Sequence, residues 1–178
     1  MAAHRAYLGL GSNIRPEHFI PVGLDALWRQ FGELTISGVY ASAAVGFVGP
    51  VFHNLVVGLT TTSPLVSFAN NLRQLEYRHG RLPDCDKFSS RTLDIDILTF
   101  DDCVCDGYAN NRAGIILPRE EITHHAFVLR PFAEIAPDLV IPHQRQTLAE
   151  LWRHFDSASQ PLTPIPLTWR ATKLTSPQ

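Results

Sequence analysis

Arg91-Thr92-Leu93-Asp94-Ile95-Asp96-Ile97-Leu98 alternates polar and apolar residues with a period of two, the pattern of a strand with one face in a core. Thr92, Asp94 and Asp96 fall on one face of such a strand, and Leu93, Ile95 and Ile97 on the other. Two carboxylates spaced by two residues repel each other, and aspartate is a poor strand former. A face that keeps both needs compensating positive charge. A cluster of arginines would supply it, and so would a divalent metal ion. Hard oxygen ligands favour magnesium, which takes one or two carboxylates together with substrate phosphates and water. A solvated strand face is the plainer alternative. Arg81, Lys87 and Arg91, in the preceding loop and at the strand start, put basic side chains where anionic phosphate could meet them.

Working outward, Ala6 to Leu10 reads as a buried strand running into a Gly11-Ser12-Asn13 turn. A helix follows, with Leu24, Leu27, Trp28 and Phe31 at helical spacing and Pro21 in its first turn or at a break. Leu34 to Ala41 and Phe52 to Thr61 have strand composition, separated by an irregular stretch with Gly46, Gly49 and Pro50. Pro64 opens a helix striped by Leu65, Phe68, Leu72 and Leu75, which Gly80 ends. The polar, proline-bearing loop from Arg81 to Ser90 has the composition of a lid over a site. Beyond the Asp-x-Asp strand come a short strand to Leu117, a helix from about Arg119 to Ile135 interrupted at Pro131, a brief extended piece at Leu139 to Ile141, and a helix from Leu148 to Phe155. Residues 1–157 form one domain in this reading, and 158–178 a proline-containing tail, extended or partly disordered. Strands in sequence pairs with helices between them predict an α+β sandwich rather than a doubly wound sheet. No dinucleotide or P-loop glycine signature occurs.

Composition sets outer bounds. The 178 residues suit one domain; 45% are hydrophobic and 18% charged, and the formal net charge is −2. That balance gives no general attraction to nucleic acid or to a membrane surface, and no apolar run reaches the length of a membrane span. Lysine occurs only at Lys87 and Lys173, the other basic residues being arginines, whose planar fork suits phosphates and carboxylates. Cys85, Cys103 and Cys105 are an odd set with no second Cys/His pair at zinc spacing, and read as reduced thiols of a cytoplasmic protein.

Arg91-Thr92-Leu93-Asp94-Ile95-Asp96 also resembles the R-T-x-D-x-D signature of the 6-hydroxymethyl-7,8-dihydropterin pyrophosphokinase family. Ala6 to Asn13, Tyr40, Phe52-His53-Asn54, Glu76, Gly80-Arg81, Phe127-Val128-Leu129 and Glu134 to Pro137 match the same family in order. The resemblance spans roughly residues 5–155. It implies a ferredoxin-like α/β sandwich with a mainly antiparallel central sheet. It also implies transfer of diphosphate from ATP to the hydroxymethyl group of a reduced pterin, with AMP released. By residue-to-residue match, Asp94 and Asp96 would bind two magnesium ions. Arg81 and Arg91 would join them as catalytic residues. Glu76, Lys87, Arg91, Ile97, Arg119 and His125 would meet ATP. Ser42, Val45, Phe52, Asn54 and Phe127 would meet the pterin, with Asn54 reading ring edges and the two phenylalanines flanking the ring. A monomer or weak homodimer is the expected state.

The chain departs from the family pattern at several places. Pro83 stands where an arginine is usual, Phe88 where a tryptophan is, and Ser89-Ser90 where Gly-Pro is. Leu117-Pro118-Arg119 replaces V-P-H, and His125 replaces an arginine. The last two changes exchange one histidine and one arginine between positions that face the nucleotide in the family. A paralogue acting on another pterin-like alcohol, or a non-catalytic pterin or nucleotide binder, would be the competing readings. Retention of both aspartates argues against a mere binder.

Overall fold

The computed structural model describes residues 2–81, 89–107 and 114–174. Its strands are β1 (His4–Ser12), β2 (Leu34–Ile36), β3 (Val39–Ser42), β4 (Phe52–Thr61), β5 (Asp94–Phe100), β6 (Cys105–Asp106), β7 (Ile116–Leu117), β8 (Thr163–Ile165), β9 (Leu167–Trp169) and β10 (Thr172–Leu174). Its helices are α1 (Pro16–Phe31), α2 (Leu65–Arg78), α3 (Glu121–His124), α4 (Ala126–Ile135) and α5 (Leu148–His154).

The main sheet runs β5-β1-β4-β3-β8, with β2 also on β4, and its pairings are antiparallel. β1 lies between β4 and β5, Leu8 facing Val57 on one side and Ile97 on the other. This is the expected α+β, ferredoxin-like arrangement. The predicted strand from Leu34 to Ala41 is divided: β2 and β3 follow one edge of β4 in turn, with a break at Ser37-Gly38. There the Ser37 hydroxyl accepts from the Val56 N–H at 2.9 Å, while its own N–H donates to the Val56 carbonyl. A side-chain oxygen thus replaces a missing ladder partner.

Helices cover both faces. Ile20, Leu24 and Leu27 of α1 and Phe68, Leu72 and Leu75 of α2 bury against Leu8, Leu10, Leu55, Val57, Leu93 and Ile95. Val128, Leu129 and Phe132 of α4 pack with Leu148 of α5 on Val56 and Leu98 from the other face. Pro16 suits the first position of α1, where its missing N–H costs nothing, and apolar burial, at about 25 cal/mol per Å², offsets the hydrogen bond lost at Pro21 inside the helix. The predicted Arg119–Ile135 helix does break, but at His125, whose φ of −123° is extended; α4 continues through Pro131. Leu139 to Ile141 is not a strand. It is irregular chain with Ile141 buried beside α4 and α5.

The segment after Ser157 pairs as β8 with β3, Thr163 opposite Ala41 and Ile165 opposite Val39. Pro164 is tolerated there because an edge strand leaves its missing N–H without a neighbour to serve. β9 and β10 form a hairpin whose turn residues, Arg170 and Ala171, have φ of 47° and 63°, as a type I′ turn requires. The Arg170 guanidinium lies 3.6 Å from the centre of the Trp28 ring and bonds Asp25, which docks the hairpin on α1. Trp28, expected in the apolar stripe of α1, is accordingly 41% exposed. Among the described residues no helix is long and apolar enough to cross a membrane.

Candidate active site

The pocket-side sheet face of β1, β4 and β5 is only partly covered by α4, and the uncovered part floors a cavity of about 400 Å³. The period of two decides which side chains reach it. Asn54 and Val56 come from β4, Asp94, Asp96 and Leu98 from β5, and Gly9 and Gly11 from β1. Gly11 keeps the floor open: a Cβ there would sit 3.2 Å from the Asn54 amide oxygen and 3.6 Å from the Phe52 ring. The Asn54 amide nitrogen donates to the Ser42 hydroxyl at 2.9 Å, which fixes its orientation.

The Gly-Ser-Asn turn secures the edge of this floor. Asn13 Oδ1 accepts from the Arg91 N–H at 2.7 Å, and its Nδ2 donates to the Pro50 carbonyl and the Ser90 hydroxyl, each at 3.2 Å. The Asn13 and Ile14 N–H groups both donate to the Arg91 carbonyl. One asparagine therefore joins the end of β1, the entry to β5 and the 43–51 loop that carries Val45 and Phe47 into the cavity wall.

Carboxylates and guanidinium groups alternate across the cavity. Arg81 Nη1 lies 2.6 Å from Glu76 Oε2 and 3.2 Å from Asp94 Oδ1, and Arg91 Nε is 3.9 Å from the same Asp94 oxygen. Arg119 Nη2 bridges Asp96 at 2.9 Å and Glu121 at 3.2 Å. Glu76 is buried on α2 and also accepts from the Ile95 N–H at 2.7 Å, between the two aspartates. Burial foremost, then the charges of Asp94 and Asp96, raises the Glu76 carboxyl to about 7 against the pull of Arg81 and the Ile95 N–H. Asp96 is raised to about 6, again by burial first and Asp94 second, with Arg119 opposing. Its side chain is 45% exposed, on the part of the sheet that lines the cavity.

Two aromatic groups complete the walls. The His125 and Phe127 rings stack at the α3–α4 junction, with centroids 5.0 Å apart and planes 16° from parallel. Phe52 meets Phe47 edge-on at 6.3 Å. Burial lowers the His125 pKa, with Glu121 and the Gln160 side chain acting in the opposite direction.

Of the residues singled out in the sequence, Arg81, Arg91, Asp94, Asp96, Arg119 and His125 line the cavity, as do Ser42, Val45, Phe52, Asn54 and Phe127. Glu76 does not line it and reaches it through Arg81. Ile97 lies outside it, because its odd register turns the side chain to the α1–α2 core. Lys87, with Pro83 and Phe88, falls in residues 82–88, outside the described residues, as does most of the expected lid. Glu121 and Phe47 line the cavity without having been singled out. The acidic pair beside Arg119 was a signal for the first; nothing local marked the second.

Known proteins resemble this chain in sequence and in fold. The family model described as 7,8-dihydro-6-hydroxymethylpterin-pyrophosphokinase (HPPK) matches residues 7–137. The chain belongs to this family. A Pseudomonas aeruginosa relative, named 2-amino-4-hydroxy-6-hydroxymethyldihydropteridine pyrophosphokinase, is 35% identical over 150 residues, covering 79% of this chain and 86% of the relative. A Synechocystis relative of the same name is 31% identical over 171 residues, covering 90% of this chain and 82% of the relative. Among solved structures, the Plasmodium falciparum HPPK-DHPS crystallised with pteroate superposes with a TM-score of 0.66 at 14% identity. The match covers 85% of this chain but 42% of that one, so it speaks for the HPPK fold alone.

Proposed function

We propose that this HPPK-family chain transfers diphosphate from ATP to the hydroxymethyl group of 6-hydroxymethyl-7,8-dihydropterin, releasing AMP. The observation that carries this reading is the opening of Asp94 and Asp96, on one strand face, into the cavity that Asn54, Phe52 and Phe127 also line. The pterin hydroxyl oxygen forms a bond to the β-phosphorus as the bond from that phosphorus to the α–β bridging oxygen breaks. The electron pair leaves with AMP, and the hydroxyl proton passes to solvent.

Among the described residues no group of three or more His, Cys, Asp or Glu gathers around one point. Two neighbouring carboxylates are nonetheless the donor set that magnesium takes when phosphates and water complete its shell. Asp94 and Asp96 would hold two magnesium ions together with ATP. The ions, when bound, neutralise phosphate charge and align attacking and leaving oxygens. Arg81, Arg91 and Arg119 present forks to the phosphates, and His125 flanks them. Asn54, held by Ser42, offers an amide to the ring edge of the pterin, while Phe52 from β4 and Phe127 from α4 offer ring faces.

The test is incubation with ATP, magnesium and 6-hydroxymethyl-7,8-dihydropterin, with nucleotide products separated. AMP formed in step with the pterin diphosphate supports the reading. ADP, or no pterin-dependent nucleotide product, overturns it.

A further inference from the structure

Gln160 lies beyond the residues matched by the family model, yet its side chain ends at the wall of the cavity. Its Oε1 accepts from the Ala126 N–H at 3.0 Å, and its Nε2 donates to the His124 carbonyl at 2.9 Å. Those two groups flank His125. One is an N–H of the first turn of α4 and the other a carbonyl of the last turn of α3, both orphaned where one helix ends and the next begins. Neither helix start has a side-chain cap from its own N-cap residue. His125 itself is fully engaged, its N–H donating to Glu121 and its carbonyl accepting from Val128 and Leu129. A single amide from the C-terminal segment thus holds the extended kink on which the His125–Phe127 stack is built.

The same segment reaches the opposite side of the site. Three residues after Gln160, β8 pairs with β3, Thr163 opposite Ala41. The next residue of β3 is Ser42, which accepts the Asn54 amide bond. The segment after α5 is therefore attached to both walls, one carrying the aromatic stack and one carrying the asparagine.

We propose that Gln160 is a positioning residue for the pterin-binding wall, setting the kink at His125 so that Phe127 faces the cavity. This inference rests on the reading of Phe127 as a pterin contact. Gln160→Met keeps the length of the side chain and removes both of these hydrogen bonds together with the polar contact to the His125 side chain. Gln160→Glu keeps the acceptor for Ala126 and loses the donor to His124.

The experiment combines pterin binding by calorimetry, steady-state kinetics with pterin and ATP varied separately, and amide exchange in the ligand-free full chain. For Gln160→Met the expected results are pterin affinity weakened about tenfold, kcat at saturation within about twofold of wild type, and faster exchange confined to Ala126–Leu129. Gln160→Glu should fall between. A general loss of thermal stability, with kcat falling alongside affinity, would make Gln160 merely structural and overturn the proposal. So would unchanged exchange and unchanged affinity in Gln160→Met. A wild-type chain that binds no pterin would instead sink the functional reading, while the exchange data would still report whether Gln160 sets the kink.

Discussion

Replacing Asn13 by alanine isolates what the Gly-Ser-Asn turn contributes. Three hydrogen bonds disappear, but their costs differ. The Pro50 carbonyl and Ser90 hydroxyl belong to exposed residues and can turn to water, so losing both costs roughly 0.5–1 kcal/mol. The Arg91 N–H belongs to a residue only 6% exposed, and leaving it without an acceptor costs about 1–3 kcal/mol. The expected destabilisation is therefore about 1.5–4 kcal/mol, or a Tm lower by roughly 3–16 °C for a chain of this length. Ser90→Ala removes one of the exposed partners and should change stability by under about 0.5 kcal/mol.

Urea unfolding of the ligand-free proteins gives the stabilities, and AMP release gives the functional consequence. Since Asn13 sets the entry of Arg91 into β5, turnover should fall in Asn13→Ala even at temperatures where it is fully folded. An Asn13→Ala protein within about 0.5 kcal/mol of wild type, or a Ser90→Ala protein as unstable as Asn13→Ala, would refute the assignment of the cost to the buried Arg91 N–H.

Asp94→Asn and Asp96→Asn should each lower AMP formation by about 10²-fold or more while leaving the thermal transition in place; near wild-type turnover at saturating magnesium would overturn the ligand assignment. Arg119→His and His125→Arg should each weaken ATP binding, and the double exchange should recover much of the loss if Glu121, which bonds Arg119 and whose charge acts on His125, couples them; strictly additive losses, read by nucleotide titration, would show the two positions to be independent. His79 is held below its ordinary pKa, first by burial and then by Arg78 and His18. The unfolded chain therefore binds the extra proton first, and the stability from neutral His79 is present above pH 6.5 and lost as the pH falls below it. The Tm of His79→Gln should rise relative to wild type between pH 8 and pH 5.5, and a constant difference would contradict the shift.

What could be read in the sequence was local and periodic. The alternation through Leu93–Leu98 correctly put Asp94 and Asp96 on the face away from the α1–α2 core, because a pleated strand allows no other outcome. The same rule sends the Ile97 side chain away from the cavity, a consequence outweighed at the sequence level by the family match. The helix break at His125 was misplaced to Pro131. Proline is a strong local signal, whereas the real break is held by Gln160, 34 residues from Ala126. β8 escaped for the same reason: a three-residue, two-proline environment has no periodicity, and its order comes from pairing with β3. The hairpin of β9 and β10 likewise depends on Trp28 and Asp25 of α1. Long-range partners, not local propensity, decided each of these elements.

The ion pairs also bear on how the site tolerates its own charge. Among the described residues each cavity guanidinium with two close partners serves two carboxylates: Arg81 serves Glu76 and Asp94, and Arg119 serves Asp96 and Glu121. Negative charge is in excess, and it adds to burial, the larger cause, in pushing Glu76 and Asp96 up. Neutralising one aspartate relieves that excess, whereas removing Arg81 or Arg119 deepens it and takes an ion-pair partner from two carboxylates at once. Glu76 is the critical one, since its side chain is 4% exposed and a buried charge left unpaired is costly. An incoming magnesium–ATP would exchange partners rather than expose bare charges, the cations taking the aspartates and the phosphates taking the arginines. The desolvation of these groups is already part of the cost of folding, so the binding step need supply only the difference between two paired arrangements.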